Sequence, residues 1–136
     1  MEKKGMMEVF PDYLEFVNKN ELIGIVGLGY VGLPLAVLLS KLYRIIGYDD
    51  NLVRIDELQN QYDRTGQITS EVLQQTNIEY TSQPDDLKRA RMIIIAVPTP
   101  VTPKNLPDLS PLQAATAMVG SHLVAGTTKN TKPILP

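Results

Sequence analysis

The chain has 136 residues, a formal net charge of −2 and no cysteine. That length suits one domain rather than two, and the near-balanced charge argues against a nucleic-acid surface or a polybasic membrane patch. Without cysteine these residues offer no disulfide, no thiolate metal site and no thiol nucleophile.

The opening residues, Met-Glu-Lys-Lys-Gly-Met-Met-Glu, lack the apolar stretch of a signal peptide. The longest apolar run, residues 31–39, is broken by Gly32 and Pro34 and is too short to span a bilayer. The expectation is a soluble cytoplasmic protein with no membrane or nucleic-acid partner. Residues 1–20 form an arm before the first strand. Phe10, Tyr13, Leu14 and Val17 recur in it at helical spacing behind Pro11. Such a stripe either covers the side of the domain or serves as an oligomerisation arm.

The first strand is expected at residues 22–26 and the first helix at 30–42. Pro34 falls near its first turn, and Leu35, Leu38, Leu39 and Leu42 form the face toward the sheet. A second strand, residues 44–48, runs into Asp49-Asp50. A helix with Leu52, Ile55, Leu58 and Tyr62 at helical spacing follows. Residues 63–69 read as a polar loop. Ser70 caps a short helix to Gln75, and residues 78–81 form a third strand. A short helix over residues 84–90 starts acidic, at Asp85-Asp86. Residues 92–97 are continuously apolar, the mark of a strand covered on both faces of a parallel sheet. A proline-stiffened loop over 98–111 leads to Ser110-Pro111-Leu112-Gln113, which reads as a capping box. The helix behind it, to about residue 123, turns Leu112, Ala115, Val119 and Leu123 inward. Residues 127–136 show no periodicity and read as an irregular tail.

Strands alternating with helices predict a doubly wound α/β fold, a partial Rossmann fold with parallel sheet order 3-2-1-4 over residues 21–126. Within it, Gly27, Gly29 and Gly32 hold the G-x-G-x-x-G spacing between an apolar strand and an apolar helix, the context that gives the motif meaning. Gly27 permits the tight turn, Gly29 lets a pyrophosphate approach bare backbone, and Gly32 lets the helix lie close to the strand. Asp49 ends the second strand roughly 20 residues past the first glycine, where a carboxylate holds ribose hydroxyls and repels the extra phosphate of NADP. NAD is therefore the expected cofactor. Asp50 leaves the strand on the other face and reads as a solvent-facing cap. Arg54 either lies over the adenine or ribose or is a solvated surface arginine. Thr99 follows the fourth strand, where ligands of open α/β sheets bind. Its hydroxyl either meets the cofactor or belongs to a rigid connecting loop. His122 reads as a partner for the last helix's C-terminal dipole. No catalytic triad, metal cluster or paired-carboxylate site is evident.

Four blocks carry a resemblance to the UDP-glucose/GDP-mannose dehydrogenase family. They are Gly27-Leu-Gly-Tyr-Val-Gly-Leu-Pro-Leu-Ala36, Gly47-Tyr-Asp-Asp-Asn51 with Arg54-Ile55, Ala96-Val-Pro-Thr-Pro-Val101, and Pro107-Asp-Leu-Ser-Pro-Leu112. The resemblance covers about residues 21–124. Tyr62-Asp-Arg-Thr-Gly66 resembles the branch that oxidises UDP-N-acetylhexosamines, with Gln67 where that branch usually has glutamate. The resemblance implies cofactor contacts at Gly27, Gly29, Tyr30, Val31, Gly32, Asp49, Arg54 and Thr99. It also implies oxidation of a sugar C6 alcohol to a carboxylate with two NAD, the intermediate aldehyde held on a cysteine.

The chain departs from that pattern. It has no cysteine, and residues 127–136 no longer resemble the family. The family's Glu-Ser-Thr segment, linking helix and nucleotide-sugar domain are not in this sequence. Residues 1–136 alone are therefore expected to give no turnover and to bear no catalytic residue. The readings are the NAD-binding portion of a nucleotide-sugar dehydrogenase, a non-catalytic NAD-binding or regulatory module, or a decayed fragment. A fourth strand without its second neighbour is an apolar edge. The expectation is a homo-oligomer paired across residues 92–97, or coverage of that edge by the tail.

Overall fold

The computed structural model describes residues 21–123 and the backbone of residues 128–131. The expected arm at 1–20 lies outside the described residues. The core strand is β1, Leu22–Val26, buried at every position. Its neighbours are β2, Arg44–Tyr48, and β4, Ala90–Ile95, both parallel to it. Strand β3, Ile78–Thr81, extends the sheet beyond β2, and β5, Thr128–Thr131, extends it beyond β4. The sheet thus has five strands in the order β3-β2-β1-β4-β5. The expected order 3-2-1-4 is present with one strand added.

Side chains alternate across the sheet and build a core on each face. Ile23, Ile25 and Ile45 meet Leu33, Ala36 and Val37 of helix α1, Gly32–Leu39, and Ile55 and Leu58 of helix α2, Leu52–Gln59. The short helix α3, Ser70–Gln75, adds Leu73 to this side. On the other face Leu22, Val26, Ile46, Ile93 and Ile95 meet Leu87 of a 3-10 helix, Pro84–Arg89, and Val119 of helix α4, Ser110–Ser121. Helices on both faces explain why β1 and, from Met92 on, β4 are apolar without alternation. Each fully buried aliphatic side chain contributes about 2 kcal/mol. Among the described residues no helix is long and apolar enough to cross a membrane.

Several expected boundaries and faces are corrected. Helix α1 is shorter than residues 30–42, and its inner face is Gly32, Leu33, Ala36 and Val37. Leu38 and Leu42, expected inside, are 59 % and 77 % exposed. The helix is apolar all round, so leucine spacing does not fix its roll. The close approach of Gly32 to the strand does. On α2, Leu52 is likewise exposed while Ile55 and Leu58 are buried, and Tyr62, expected on this helix, lies exposed beyond its end. The α2 cap is Asn51, which accepts from the N–H groups of Val53 and Arg54, and not Asp50. The α3 cap is Thr69, with Ser70 the first helical residue. The segment over 84–90 is a 3-10 helix ending at Arg89. No capping box forms at Ser110. Asp108 instead accepts from the Ser110 N–H at 2.9 Å, and hydrogen bonds from Ser110 hold its carboxyl below the ordinary range. Leu123 is 39 % exposed.

Strand β4 begins two residues earlier than expected, because backbone pairing with β1 reaches back to Ala90, with charged Arg91 passed over in the register between Ala90 and Met92. It ends at Ile95, where the chain turns into the proline loop. Residues 128–131 are not irregular. They pair with Met92 to Ile95 and occupy the edge through which dimerisation was expected. Of the two expected outcomes the tail covers that edge, because the hydrogen-bonding groups of β4 are taken within the chain.

The second core hinges on Leu87, which is fully buried. Gly24 of β1 makes room for it, since a Cβ there would lie 3.1 Å from Leu87 Cδ2. Leu87→Ala is expected to cost about 3 kcal/mol, read from the urea midpoint by circular dichroism.

Candidate functional site

Three neighbouring strand ends meet at one edge of the sheet. Beyond β1 the Gly27 N–H donates to the Tyr48 carbonyl at 2.8 Å, and the Ala96 N–H donates to the Val26 carbonyl at 2.8 Å. The Asp49 N–H donates to the Thr81 carbonyl at 3.1 Å. The chain then leaves each strand, and a cleft of about 630 Å³ opens over their C-terminal ends. Its floor is the glycine turn, one wall carries Asp49, Arg54, Arg64 and Thr65, and the other is Pro111, Ala114 and Met118 of α4. This is where open α/β sheets take their ligands.

The glycines divide the work as their spacing predicts. Gly27 has φ 97°, a conformation that side chains resist. Gly32 sits so close to the turn that an added Cβ would fall 1.6 Å from the Gly27 carbonyl oxygen. Gly29 is the reverse case: nothing lies within 4 Å of a Cβ built there. The open space at Gly29 and the bare backbone around it suit a pyrophosphate, and α1 begins just beyond.

Between the first two glycines, Leu28 is held on every side. Its side chain is fully buried and lies over Gly47, where an added Cβ would come 3.0 Å from Leu28 Cδ2. Its N–H donates to Asp49 Oδ2 at 2.9 Å. Its carbonyl accepts from Arg54 Nε at 2.8 Å. The other oxygen of Asp49 accepts from the Asn51 N–H at 3.0 Å. An ionised carboxylate has lone pairs to spare after two such bonds, so Asp49 keeps capacity for ribose hydroxyls. Burial, then the charges of Asp50 and Asp49, raise the Tyr48 hydroxyl above its ordinary range and keep it neutral.

The expected site residues are therefore not all alike in position. Gly27, Gly29, Tyr30, Asp49 and Arg54 line the cleft. Gly32 is buried behind the turn, and Val31 is 43 % exposed at the head of α1. Arg54 is neither a solvated surface arginine nor free over the cleft. It is 6 % exposed, with Nη1 donating to Asp63 Oδ1 at 2.9 Å and Nη2 buried without a hydrogen-bond partner. Thr99 is 2 % exposed and lies outside the cleft wall, which the neighbouring Val97 and Pro98 supply. The chain leaving β4 turns Thr99 into the interior, directly behind Pro98 of the wall. Asp50 is exposed at the rim. His122 is at the end of α4, its Nδ1 2.8 Å from the Met118 carbonyl. Among the described residues no cluster of His, Asp and Glu is placed to hold a metal.

Sequence reasoning passed over Asp63, which lies in the segment read as a polar loop. Its side chain is fully buried. Oδ1 accepts from Arg54 and from the N–H of Thr65, and Oδ2 accepts from the N–H groups of Gln67 and Ile68 at 3.1 and 3.0 Å. Burial alone would raise its pKa, but hydrogen bonds from Thr65, Ile68 and Arg54 outweigh it and hold the carboxyl below its ordinary range. The signal was local: Asp-x-Thr-Gly is turn chemistry, and Gly66 takes φ 71°.

The sequence model of the UDP-glucose/GDP-mannose dehydrogenase family, NAD binding domain, matches residues 21–133. Protein CapL of Staphylococcus aureus is 53 % identical over 111 residues, which cover 82 % of this chain and 26 % of CapL. UDP-N-acetyl-D-glucosamine 6-dehydrogenase of Salmonella typhi is 43 % identical over 105 residues, covering 76 % of this chain and 25 % of that protein. The solved UDP-D-ManNAc dehydrogenase of Pyrococcus horikoshii superposes with a TM-score of 0.72 at 29 % identity, over 85 % of this chain and 29 % of that one.

The geometry separates two roles for glycine. Gly32→Ala is expected to destabilise by about 3 kcal/mol or more, because backbone must move. Gly29→Ala is expected to keep the wild-type unfolding midpoint while weakening dinucleotide binding about tenfold; denaturation and calorimetry on the same samples check both. Asp63→Asn is expected to cost about 3 kcal/mol near neutral pH. Folded Asp63 holds its proton less tightly than unfolded Asp63, so between the two pKa values the unfolded chain binds more protons and stability rises with pH. The wild-type advantage should be complete above the ordinary aspartate pKa and fade as pH falls through the depressed folded value. Urea unfolding of both proteins across an acid pH series measures it.

Proposed function

Because the chain belongs to the UDP-glucose/GDP-mannose dehydrogenase family and carries its NAD binding domain, we propose that it is the NAD-holding part of a nucleotide-sugar 6-dehydrogenase acting on a UDP-N-acetylhexosamine. The observation that carries this reading is the meeting of the open Gly29 backbone and the Asp49 carboxylate in one cleft. The residues present fit the cofactor. Gly27 and Gly29 take the pyrophosphate on backbone, Asp49 takes the adenosine ribose and disfavours a 2′-phosphate, and Tyr30 and Val31 flank the turn. Gly32 seats α1 against the turn, and Arg54 holds the Leu28 carbonyl in place. Thr99, buried next to the cleft-lining Pro98, is the remaining proposed cofactor contact. When bound, NAD supplies the hydride acceptor for oxidation of a sugar alcohol.

Support for the substrate class comes from those relatives that are named for UDP-N-acetyl sugars. The chain spans 26 % and 25 % of the two relatives described above. The sugar site and the full oxidation to a carboxylate therefore belong to the proposal for the whole protein. Residues 1–136 hold no cysteine for the aldehyde stage. That favours a second reading of these residues by themselves, a module that binds NAD without turnover. In the same proposal, residues 21–126 are the cofactor domain, 1–20 an arm, the compartment is the cytoplasm, and homo-oligomerisation is not routed through β4.

Calorimetric titration is the test. The chain should bind NAD and discriminate against NADP by about tenfold or more, and Asp49→Ala should weaken NAD about tenfold. A folded chain that gives no heat with millimolar NAD would sink the reading.

A further inference from the structure

The wall that carries Asp49 also carries two arginines, Arg54 and Arg64. A guanidinium near the ribose acid is the group that accommodates the 2′-phosphate of NADP. Both are already engaged. Arg54 is committed to the Leu28 carbonyl and to Asp63, at 2.8 and 2.9 Å. Arg64, whose side chain is 56 % exposed, turns back to α2, and its Nε and Nη2 both donate to Glu57 Oε1, the former at 2.6 Å. Glu57 stands between the two cations, with Oε2 at 3.8 Å from Arg54 Nη1. Its side chain is only 13 % exposed. Asp49 and Asp50 have no ion-pair partner among the described residues. Each cation on this wall thus has a carboxylate partner, with only the buried Nη2 of Arg54 lacking a hydrogen bond, and the acids are in excess.

We propose that Glu57 is a specificity-determining residue: by holding Arg64 and facing Arg54 it leaves a 2′-phosphate no free cation, so the cleft selects NAD by more than repulsion from Asp49. The proposal rests on reading the cleft as an NAD site. Arg64 is the mobile member of the pair, because Arg54 is buried on both flanks. Released from Glu57, it gains a long, exposed reach into the cleft and charge-assisted bonds to phosphate. An exposed ion pair is weak, so the effect is modest rather than absolute.

The experiment titrates NAD and NADP into the full chain, wild type and Glu57→Gln, with Arg64→Gln alone and combined with Glu57→Gln. Circular dichroism first establishes that each variant is folded. Glu57→Gln should raise NADP affinity relative to NAD about fivefold and leave NAD within about twofold. Adding Arg64→Gln should cancel that gain. Arg64→Gln alone should leave the ratio unchanged, because Arg64 is already engaged. An unmoved ratio in folded Glu57→Gln overturns the proposal. A gain that survives removal of Arg64 also overturns it, since general loss of negative charge then explains the effect. Should Glu57→Gln not fold, Arg64→Gln decides alone: lower NADP affinity would mean that Arg64 already serves the phosphate. A wild type that binds no NAD defeats the cofactor reading itself, whereas an NAD-binding wild type with an insensitive ratio defeats this proposal alone.

Discussion

The cleft depends on how one peptide segment, at Leu28, is held. A turn with Gly27 at positive φ has no regular secondary structure to satisfy its backbone groups. Here the N–H of Leu28 goes to Asp49 and its carbonyl to Arg54. Arg54 is in turn fixed by Asp63, whose own oxygens are filled by the loop backbone. The end of β2, the first turn of α2 and the loop over residues 63–68 therefore converge on one residue of the turn. The Leu28 side chain completes the anchorage by filling the space that Gly47 leaves. A turn held this way meets a dinucleotide with its backbone already in place, and binding is spared the cost of ordering it.

The two faces of the sheet explain the shape of the cleft above them. On one face α1 must approach β1 closely, and Gly32 allows it. On the other, α4 presents Ala114 and Ala115 near the opening, side chains small enough to leave a cleft between helix and turn. The apolar wall toward α4 and the charged wall toward α2 give the cleft two different chemistries across its width. A dinucleotide, with flat bases and a charged, hydroxylated backbone, matches that division.

Much of this was legible in the sequence. Strands β1, β2 and β3 fall at the expected residues; in β1 and β2 pairing and burial coincide, while β3, Ile-Glu-Tyr-Thr, alternates and is only partly buried. Strand β4 was displaced by two residues since pairing is a backbone property and reaches Ala90 across a register shift at charged Arg91. The roll of α1 was misjudged because seven of its eight residues are apolar side chains or proline, and only the contact of Gly32 distinguishes the faces. Strand β5, Thr-Lys-Asn-Thr, has no hydrophobic pattern, and its place comes from the ladder with β4. The glycine turn and Asp49 were found by spacing, which reflects chain geometry directly. Asp63 was not: the turn pattern of residues 63–66 marks a loop, and nothing in it names Arg54 as the cation that the acid buries. For the same reason the bonds of Arg54 to Leu28 and Asp63 were not foreseen, although its place at the cleft was.

The double use of Asp49 binds two properties that are usually separable. The carboxylate proposed to meet the ribose is also the acceptor for Leu28 and Asn51. Occupation of the cleft should therefore tighten the fold itself, through the linkage that ties a ligand to the folded state alone. The converse concerns change over generations. A lineage drifting toward a different cofactor cannot exchange this acid without first replacing a support of the turn. The residue most exposed to selection for specificity is thereby restrained by selection for folding.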